Sequence, residues 1–395
     1  MLYVAIVLCA FVAAVTFPRW SSRSLLSIDH PLFWLIALGF VYWALSLSNG
    51  NDWVGYFWET DCIRVGQCDE AYVSFEPLFT QLLRLAALTD YQVVPFAAGL
   101  AACSAIVLMA KSSLYSGLSI LFFVSLSAYY LYVEQVRQGM ALCFLLFSVT
   151  LYIRNRTWLL ILAFLVACLL HWTSVLFVVP FLLGKAGRLT VWLIAGAVAS
   201  LLTFALLTPE DLLDALVSLG LGEIDLARRL FFYAAIEDYN TAAIGIGFVF
   251  DFALMLLLLL PAARVRGERI RLVPIVTAYF VVLLASRANI SIYRLSLVFV
   301  PFVCVYLGQL LETHPSGVCI GRLCIDKRLY ATVIAIVMVA QSSRPLLDPV
   351  LQSNLLHHRI YVLNGVPSID DRYRLADQQC DHLEEHGKGF LCGRW

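Results

Sequence analysis

The stretch AAIGIGFVFDFALMLLLLLPAARVRGER, residues 242–269, decides what kind of chain this is. From Ala242 to Pro261 one charge, Asp251, interrupts a run of apolar side chains, and Arg264, Arg266 and Arg269 follow at once. An α-helix of about 20 apolar residues rises about 30 Å, the thickness of a bilayer's hydrocarbon core. The stretch therefore reads as a membrane-spanning helix, here taken as 241–263, that ends in a basic loop.

The same pattern recurs on both sides. Spans are predicted at 1–17, 31–48, 92–110, 114–132, 136–153, 190–207, 272–286, 291–311 and 329–343. The first lacks a basic n-region and reads as a retained helix, not a cleaved signal. Composition agrees: of 395 residues, 61% are hydrophobic and 14% charged. Soluble domains carry about 25% charged residues, so the apolar excess reads as lipid-facing surface. The fold class predicted is an all-α polytopic membrane protein of about ten transmembrane helices. Its domains are a transmembrane unit, 1–343, and a polar tail, 344–395. The segment 76–90 is amphipathic and reads as an interfacial helix.

Lysine and arginine set the orientation, because short basic loops stay in the cytoplasm. The loops 18–30, 111–113, 154–157, 184–189, 264–271 and 312–328 hold about half of the 27 basic residues and few acids. The opposite side receives 49–91, 208–240, the 286–294 turn and the tail, with nearly all the acid. Both termini are then outside. Residues 158–184 break the parity, since basic residues flank both ends. A re-entrant or hairpin segment restores it, with its apex at His171-Trp172-Thr173-Ser174; one long tilted helix is the alternative.

Of 11 cysteines, Cys9, Cys103, Cys143, Cys168 and Cys304 lie in apolar runs and read as small core residues. Cys62/Cys68 and Cys380/Cys392 are close pairs in hydrophilic outer segments, where disulfides are compatible with the compartment. Cys319 and Cys324 fall in a basic loop and are expected to be reduced. With no second pair near them they make a poor metal site. The expectation is chemistry without metal or cofactor. No nucleotide, hydrolase, zinc-protease or nucleic-acid signature occurs.

Ionisable residues in or beside spans are costly and default to functional candidates. Arg137 offers phosphate a fork of donors, or it neutralises Glu134 one turn away. Arg287 and Arg294, seven residues apart, share a helix face and suit a diphosphate, or they snorkel to headgroups. His171 is a general base or hydrogen-bond donor, or a histidine satisfied by Thr173, Ser174 or a carbonyl. Asp52, Glu59 and Glu76 are base candidates, although Glu59, like Asp69 and Glu70, reads more simply as a solvated loop acid. Asp251 is able to pair with a cation inside the bundle. Trp53, Tyr56 and Tyr293 are candidates for stacking on sugar; Trp53 and Tyr56 belong to an aromatic cluster with Phe57, Trp58, Tyr72 and Phe75 that an interface belt explains equally well.

Five short motifs follow in order: Asn51-Asp52-Trp53-x-x-Tyr56, Phe75-Glu76-Pro77-Leu78-Phe79, Val136-Arg137-Gln138-Gly139-Met140-Ala141, His171-Trp172-Thr173-Ser174 and Tyr293-Arg294-Leu295-Ser296. In this order and context the chain resembles the EpsG-type, Wzy-like polymerases of exopolysaccharide and O-antigen. The resemblance implies a GT-C-like helix bundle in the bacterial inner membrane. It implies a substrate of oligosaccharide on undecaprenyl pyrophosphate, handled on the periplasmic face. Membrane lipids, a chain-length regulator and a flippase are the expected partners, and nucleic acid is not. Carried over residue by residue, Arg137, His171, Asp52 and Glu76 match the family's recurrent polar positions. Arg137 with Arg287 or Arg294 would hold the diphosphate, and Asp52, Glu76 or His171 would take the acceptor proton. The cysteine-bearing tail departs from the family pattern. A lipid-linked glycan flippase and a glycan ligase are the rival readings; the flippase should show two related halves, and no internal repeat is visible.

Cysteines introduced at Asp52 and Arg294 are expected to react with a membrane-impermeant maleimide from the same side. Labelling from opposite sides would dismiss this topology.

Overall fold

A computed structural model of the chain describes residues 2–16, 53–66, 75–112, 116–128, 135–153, 156–185, 246–261, 272–286, 295–312, 318–320, 323–343 and 368–385, with five helical positions between 34 and 41. The described residues are mostly helical. In chain order the helices are α1 (Leu2–Thr16), α2 (Trp53–Val65), α3 (Pro77–Leu88), α4 (Val93–Ser112), α5 (Ser116–Phe122) and α6 (Val136–Ile153). Then come α7 (Thr157–Leu170), α8 (Val178–Lys185), α9 (Ile246–Leu259), α10 (Leu272–Ala285), α11 (Val300–Glu312), α12 (Lys327–Ser342) and α13 (Ile369–Glu385). Among the described residues no helix is long and apolar enough to cross a membrane. The expected span at 190–207 and the outer segment 208–240 lie outside the described residues.

Apolar all-round helices cannot be sorted by amphipathicity, so small residues and a few polar bonds set their packing. Ala10, Ala13 and Ala14 of α1 are buried, and α5 comes so close that a Cβ on Gly117 would lie 3.0 Å from the Ala14 Cα. Tyrosine hydroxyls tie the later helices. Tyr306 on α11 donates to the Leu258 carbonyl of α9 at 2.8 Å, and Tyr330 on α12 donates to that of Leu257. Asp251 is fully buried and accepts a hydrogen bond from the Gln341 amide of α12. Asp326 caps α12 by accepting from the Arg328 and Leu329 N–H groups at 2.8 and 3.3 Å.

The expected apex is a chain reversal. Helix α7 stops at Leu170, His171 is extended (φ −156°, ψ 116°), and a 3₁₀ turn, Trp172–Phe177, leads into α8. Phe164 and Phe177 have ring centroids 6.3 Å apart. In one continuous helix they would be separated by about 20 Å of rise. Phe181 of α8 lies 5.1 Å from Tyr152 near the end of α6, so α8 has run back beside α7.

Three local features differ from the expectation. Residues 53–65, taken as loop, form α2, whose Trp53, Tyr56, Phe57 and Thr60 are buried. Short strands, Val318–Ile320 and Leu323–Ile325, pair antiparallel in a chain otherwise read as all-α. Cys324 is disulfide-bonded, not a reduced thiol as expected. The hairpin sets Cys319 directly opposite Cys324, and opposed Cα atoms in such a ladder are about 4.5–5.5 Å apart, inside the range a disulfide spans. Cys62 and Cys380 are also disulfide-bonded, whereas Cys9, Cys103, Cys143, Cys168 and Cys304 are free.

The tail contributes α13, which rests on α2. Tyr373 packs on Phe57 and Trp58, with centroids at 5.5 and 5.1 Å, and its hydroxyl donates to Asp61. Arg372 pairs with Asp90 at 2.8 Å, at the turn between α3 and α4.

Gly117→Ala is expected to lower the melting temperature of the purified protein, at a cost of about 1–3 kcal/mol. The neighbouring atoms are the backbone of α1 and cannot rotate away, so the gain of about 0.5–1 kcal/mol in helix propensity does not compensate.

Candidate active site

Four segments meet at one end of this bundle, and each brings one polar side chain. Arg137 is the second residue of α6. Its helix end is the wrong one for a cation, because the first-turn N–H groups carry partial positive charge. A compensating anion is needed, and Glu76 supplies it: Arg137 Nη1 donates to Glu76 Oε2 at 2.8 Å.

Glu76 is placed by the residue after it. Pro77 opens α3, its missing N–H costing nothing at a first helical position. Glu76 itself is extended (φ −60°, ψ 147°) and does not cap its own helix. Its carboxylate reaches across instead. While Oε2 takes Arg137, Oε1 accepts the Trp172 N–H at 3.2 Å. One carboxylate thus joins the start of α6 to the apex between α7 and α8.

His171 occupies that apex. It is 8% exposed, and its Nδ1 lies 2.6 Å from the Thr173 hydroxyl. The broken helix is what frees the Trp172 N–H to point at Glu76. Tyr56 on α2 completes the group by accepting from Arg137 Nε at 3.2 Å. The guanidinium also lies over aromatic faces, 4.5 Å from the Phe75 centroid, 5.7 Å from Phe79 and 5.9 Å from Tyr56. Such contacts are worth about 0.5–2 kcal/mol. Arg137 is therefore held in one rotamer while 26% of its side chain stays exposed.

Burial alone would raise the Glu76 pKa. The Arg137 guanidinium, then His171, then its own and the Trp172 N–H outweigh that and hold it below the usual carboxylate range. A carboxylate so held is ionised at neutral pH and bound on both oxygens. It makes a poor proton acceptor, and its role here is to position Arg137 and the His171 apex.

The structure brings together Tyr56, Glu76, Arg137 and His171. Asp52, Arg287, Tyr293, Arg294 and Glu134 lie outside the described residues. Trp53 and Tyr56 are 3% and 4% exposed. Trp53 packs on Phe57 and Tyr91, at 6.1 and 6.5 Å, so its ring serves the core. Glu59, read as a solvated loop acid, is half-buried. Thr173 as a partner of His171 was one of the expected possibilities; Phe75 and Phe79 as a floor under the cation and the Trp172 N–H were not foreseen. Their only sequence signal is proximity to Glu76 and His171, because the contacts join segments far apart in the chain, 96 positions for Trp172 and Glu76.

Glu76→Gln keeps the shape and removes the charge. It is expected to destabilise the protein by about 1–3 kcal/mol at neutral pH. The folded pKa is depressed, so the contribution is complete above the ordinary value of 4.5 and is lost as pH falls through the lowered one. The melting-temperature gap between wild type and variant should be constant above the ordinary carboxylate range and close as the pH falls below it. A gap independent of pH would show that the charge contributes nothing.

The EpsG family model matches residues 32–318, which include all four of these side chains and end before α12 and α13. No curated protein and no solved structure matches the chain. With a family model covering most of its length, the chain belongs to the EpsG family, a family of Wzy-like polysaccharide polymerases.

Proposed function

We propose that the protein is a membrane glycosyltransferase. It joins oligosaccharide repeat units carried on undecaprenyl pyrophosphate into O-antigen or exopolysaccharide, at the periplasmic face of the bacterial inner membrane. The observation that carries this reading is the locked Arg137. Its charge is oriented by Glu76 and Tyr56, floored by Phe75, and set at a helix N-terminus next to His171.

The chemistry asks for such a site. A hydroxyl of the acceptor unit attacks the anomeric carbon of the donor glycan. The bond from that carbon to the diphosphate oxygen breaks, and negative charge builds on the leaving group. Donors already aimed at that charge need no reorganisation when it appears, and this is usually the largest single catalytic effect. Arg137 and the N–H groups opening α6 are suited to a phosphate. His171, at the apex beside them, is a further hydrogen-bond donor candidate for the same group. Arg287 and Arg294 remain further candidates for the same diphosphate, and Asp52 for the acceptor side. A flippase must let its substrate go by rearranging, which a cation fixed from three directions does not favour.

Arg137→Ala, at normal protein level, is expected to cut polymer formation about 100- to 1,000-fold, with Arg137→Lys intermediate. Purified wild type given a lipid-linked repeat unit should yield a product ladder, unchanged by EDTA. A single transfer to another lipid would make it a ligase. Relocation without change of length would make it a flippase. Undiminished polymer from Arg137→Ala would remove Arg137 from the mechanism.

A further inference from the structure

The transfer needs a group to take the acceptor proton, and the carboxylate paired with Arg137 is poorly placed to supply it. Glu76 is ionised but bound on both oxygens. His171 is buried, and its Nδ1 lies 2.6 Å from the Thr173 hydroxyl.

Helix α2 carries a different carboxylate. Glu59 follows Tyr56 by three residues, so the two side chains neighbour each other on one side of the helix, with Cβ atoms about 5–6 Å apart. Tyr56 is the residue whose hydroxyl meets Arg137. Glu59 Oε2 is buried and has no hydrogen-bond partner among the described residues, while the side chain as a whole is partly exposed. A second buried acceptor without a donor among the described residues is Gln135 Oε1, two residues before Arg137. Orphaned buried acceptors are rare in folded proteins and call for an explanation. Here both lie close in sequence to the residues of the Tyr56–Arg137 contact, Glu59 on α2 and Gln135 just before α6. What satisfies acceptors is a donor, and the donors of a sugar are its hydroxyls.

We propose that Glu59 is the proton acceptor for the attacking hydroxyl, and that the Gln135 amide oxygen receives another hydroxyl of the same acceptor sugar. This rests on the polymerase reading above. In the step, the acceptor O–H bond breaks and its proton passes to the Glu59 carboxylate. The freed electron pair forms the new bond to the donor's anomeric carbon. The bond from that carbon to the phosphate oxygen breaks, and its electron pair leaves with the diphosphate beside Arg137. Glu59 then returns its proton to water.

The surrounding charges leave Glu59 available. Asp61 is engaged by Arg64 and Tyr373, Asp90 by Arg372, Glu76 by Arg137 and Asp371 by Arg374. Neither these nor Arg84 on α3, nor Asp370 and His382 on α13, move the Glu59 pKa. Burial alone raises it, towards the range where a carboxylate exchanges protons near neutral pH.

The test uses the purified full-length protein and a lipid-linked repeat unit, with initial rates from pH 5 to 9. Glu59→Gln is expected to lower kcat about 100- to 10,000-fold, with KM within a few-fold and the melting temperature not lowered. Glu59→Asp should keep measurable activity. The acidic limb of kcat/KM, present in wild type because a base must be deprotonated, should vanish in the Gln variant's residual activity. Gln135→Leu should raise KM and leave kcat. Wild-type rates in Glu59→Gln, or an acidic limb that survives there, overturn the assignment while the polymerase reading stands. Should the Gln variant not fold, the Asp variant decides: an acidic limb that has moved supports the role, and one unmoved overturns it. A wild type that forms no ladder brings down the polymerase reading and the role of Glu59 together.

Discussion

A guanidinium at the start of a helix, partly shielded from water, has to be neutralised from outside that helix. Arg137 is in this position, and Glu76 answers it from a different segment. The carboxylate then has a second oxygen, and that oxygen is taken by the only kind of donor a broken helix exposes, a backbone N–H at Trp172. Three segments are bound to one another through one side chain. Removing either charge leaves the other half-buried without its ionic partner, which costs more than the pair contributes when intact. The remaining contacts, Tyr56 on Nε and Phe75 beneath the plane, refine the direction of a cation whose place the ion pair has already set.

The bundle around this pair is built to hold it still. Lipid gives apolar helices no reason to choose one partner over another, so backbone approach and isolated polar bonds make the choice. Gly117 against Ala14, and the tyrosine hydroxyls on the Leu257 and Leu258 carbonyls, act far along the chain from the site. The reversal at His171 does the complementary work. It leaves the helix ladder where a side chain and an N–H are wanted, and it is stabilised by aromatic packing of Phe164, Phe177, Phe181 and Phe302. The tail helix α13 lies beyond the family match, yet it clasps α2, the helix that carries Tyr56 and Glu59. Its hold on that helix is carried by Tyr373, whose ring and hydroxyl both find partners there.

Fixed charge suits the chemistry proposed for the family's members better than mobile charge would. A diphosphate leaving group gains most of its charge late, and donors that are already oriented stabilise it without first having to move. The same rigidity separates the roles of two carboxylates on neighbouring segments. Glu76 is drawn below the ordinary range by Arg137 and His171, whereas burial lifts Glu59 above it. Environments that push like groups apart in this way are how one site divides positioning from proton transfer.

Hydrophobic runs and their basic ends were enough to locate most helices, since a span must satisfy its own backbone and exclude charge over its whole length. Pro77 announced the start of α3, and the polar quartet beginning at His171 announced the reversal. The sequence also marked Arg137, Glu76 and His171 as unusual, because charge in or beside an apolar run is costly wherever the chain goes. It was silent on which of them meet. Arg137 had a neighbour of opposite sign at Glu134, one turn away, and local spacing favoured that partner. Tertiary packing set Glu76, from 61 positions earlier, against it. Whether an acid is solvated, paired or buried alone depends on the surfaces that close over it. That is why Glu59, which in sequence reads more simply as a solvated loop acid, acquired its character only in the folded chain.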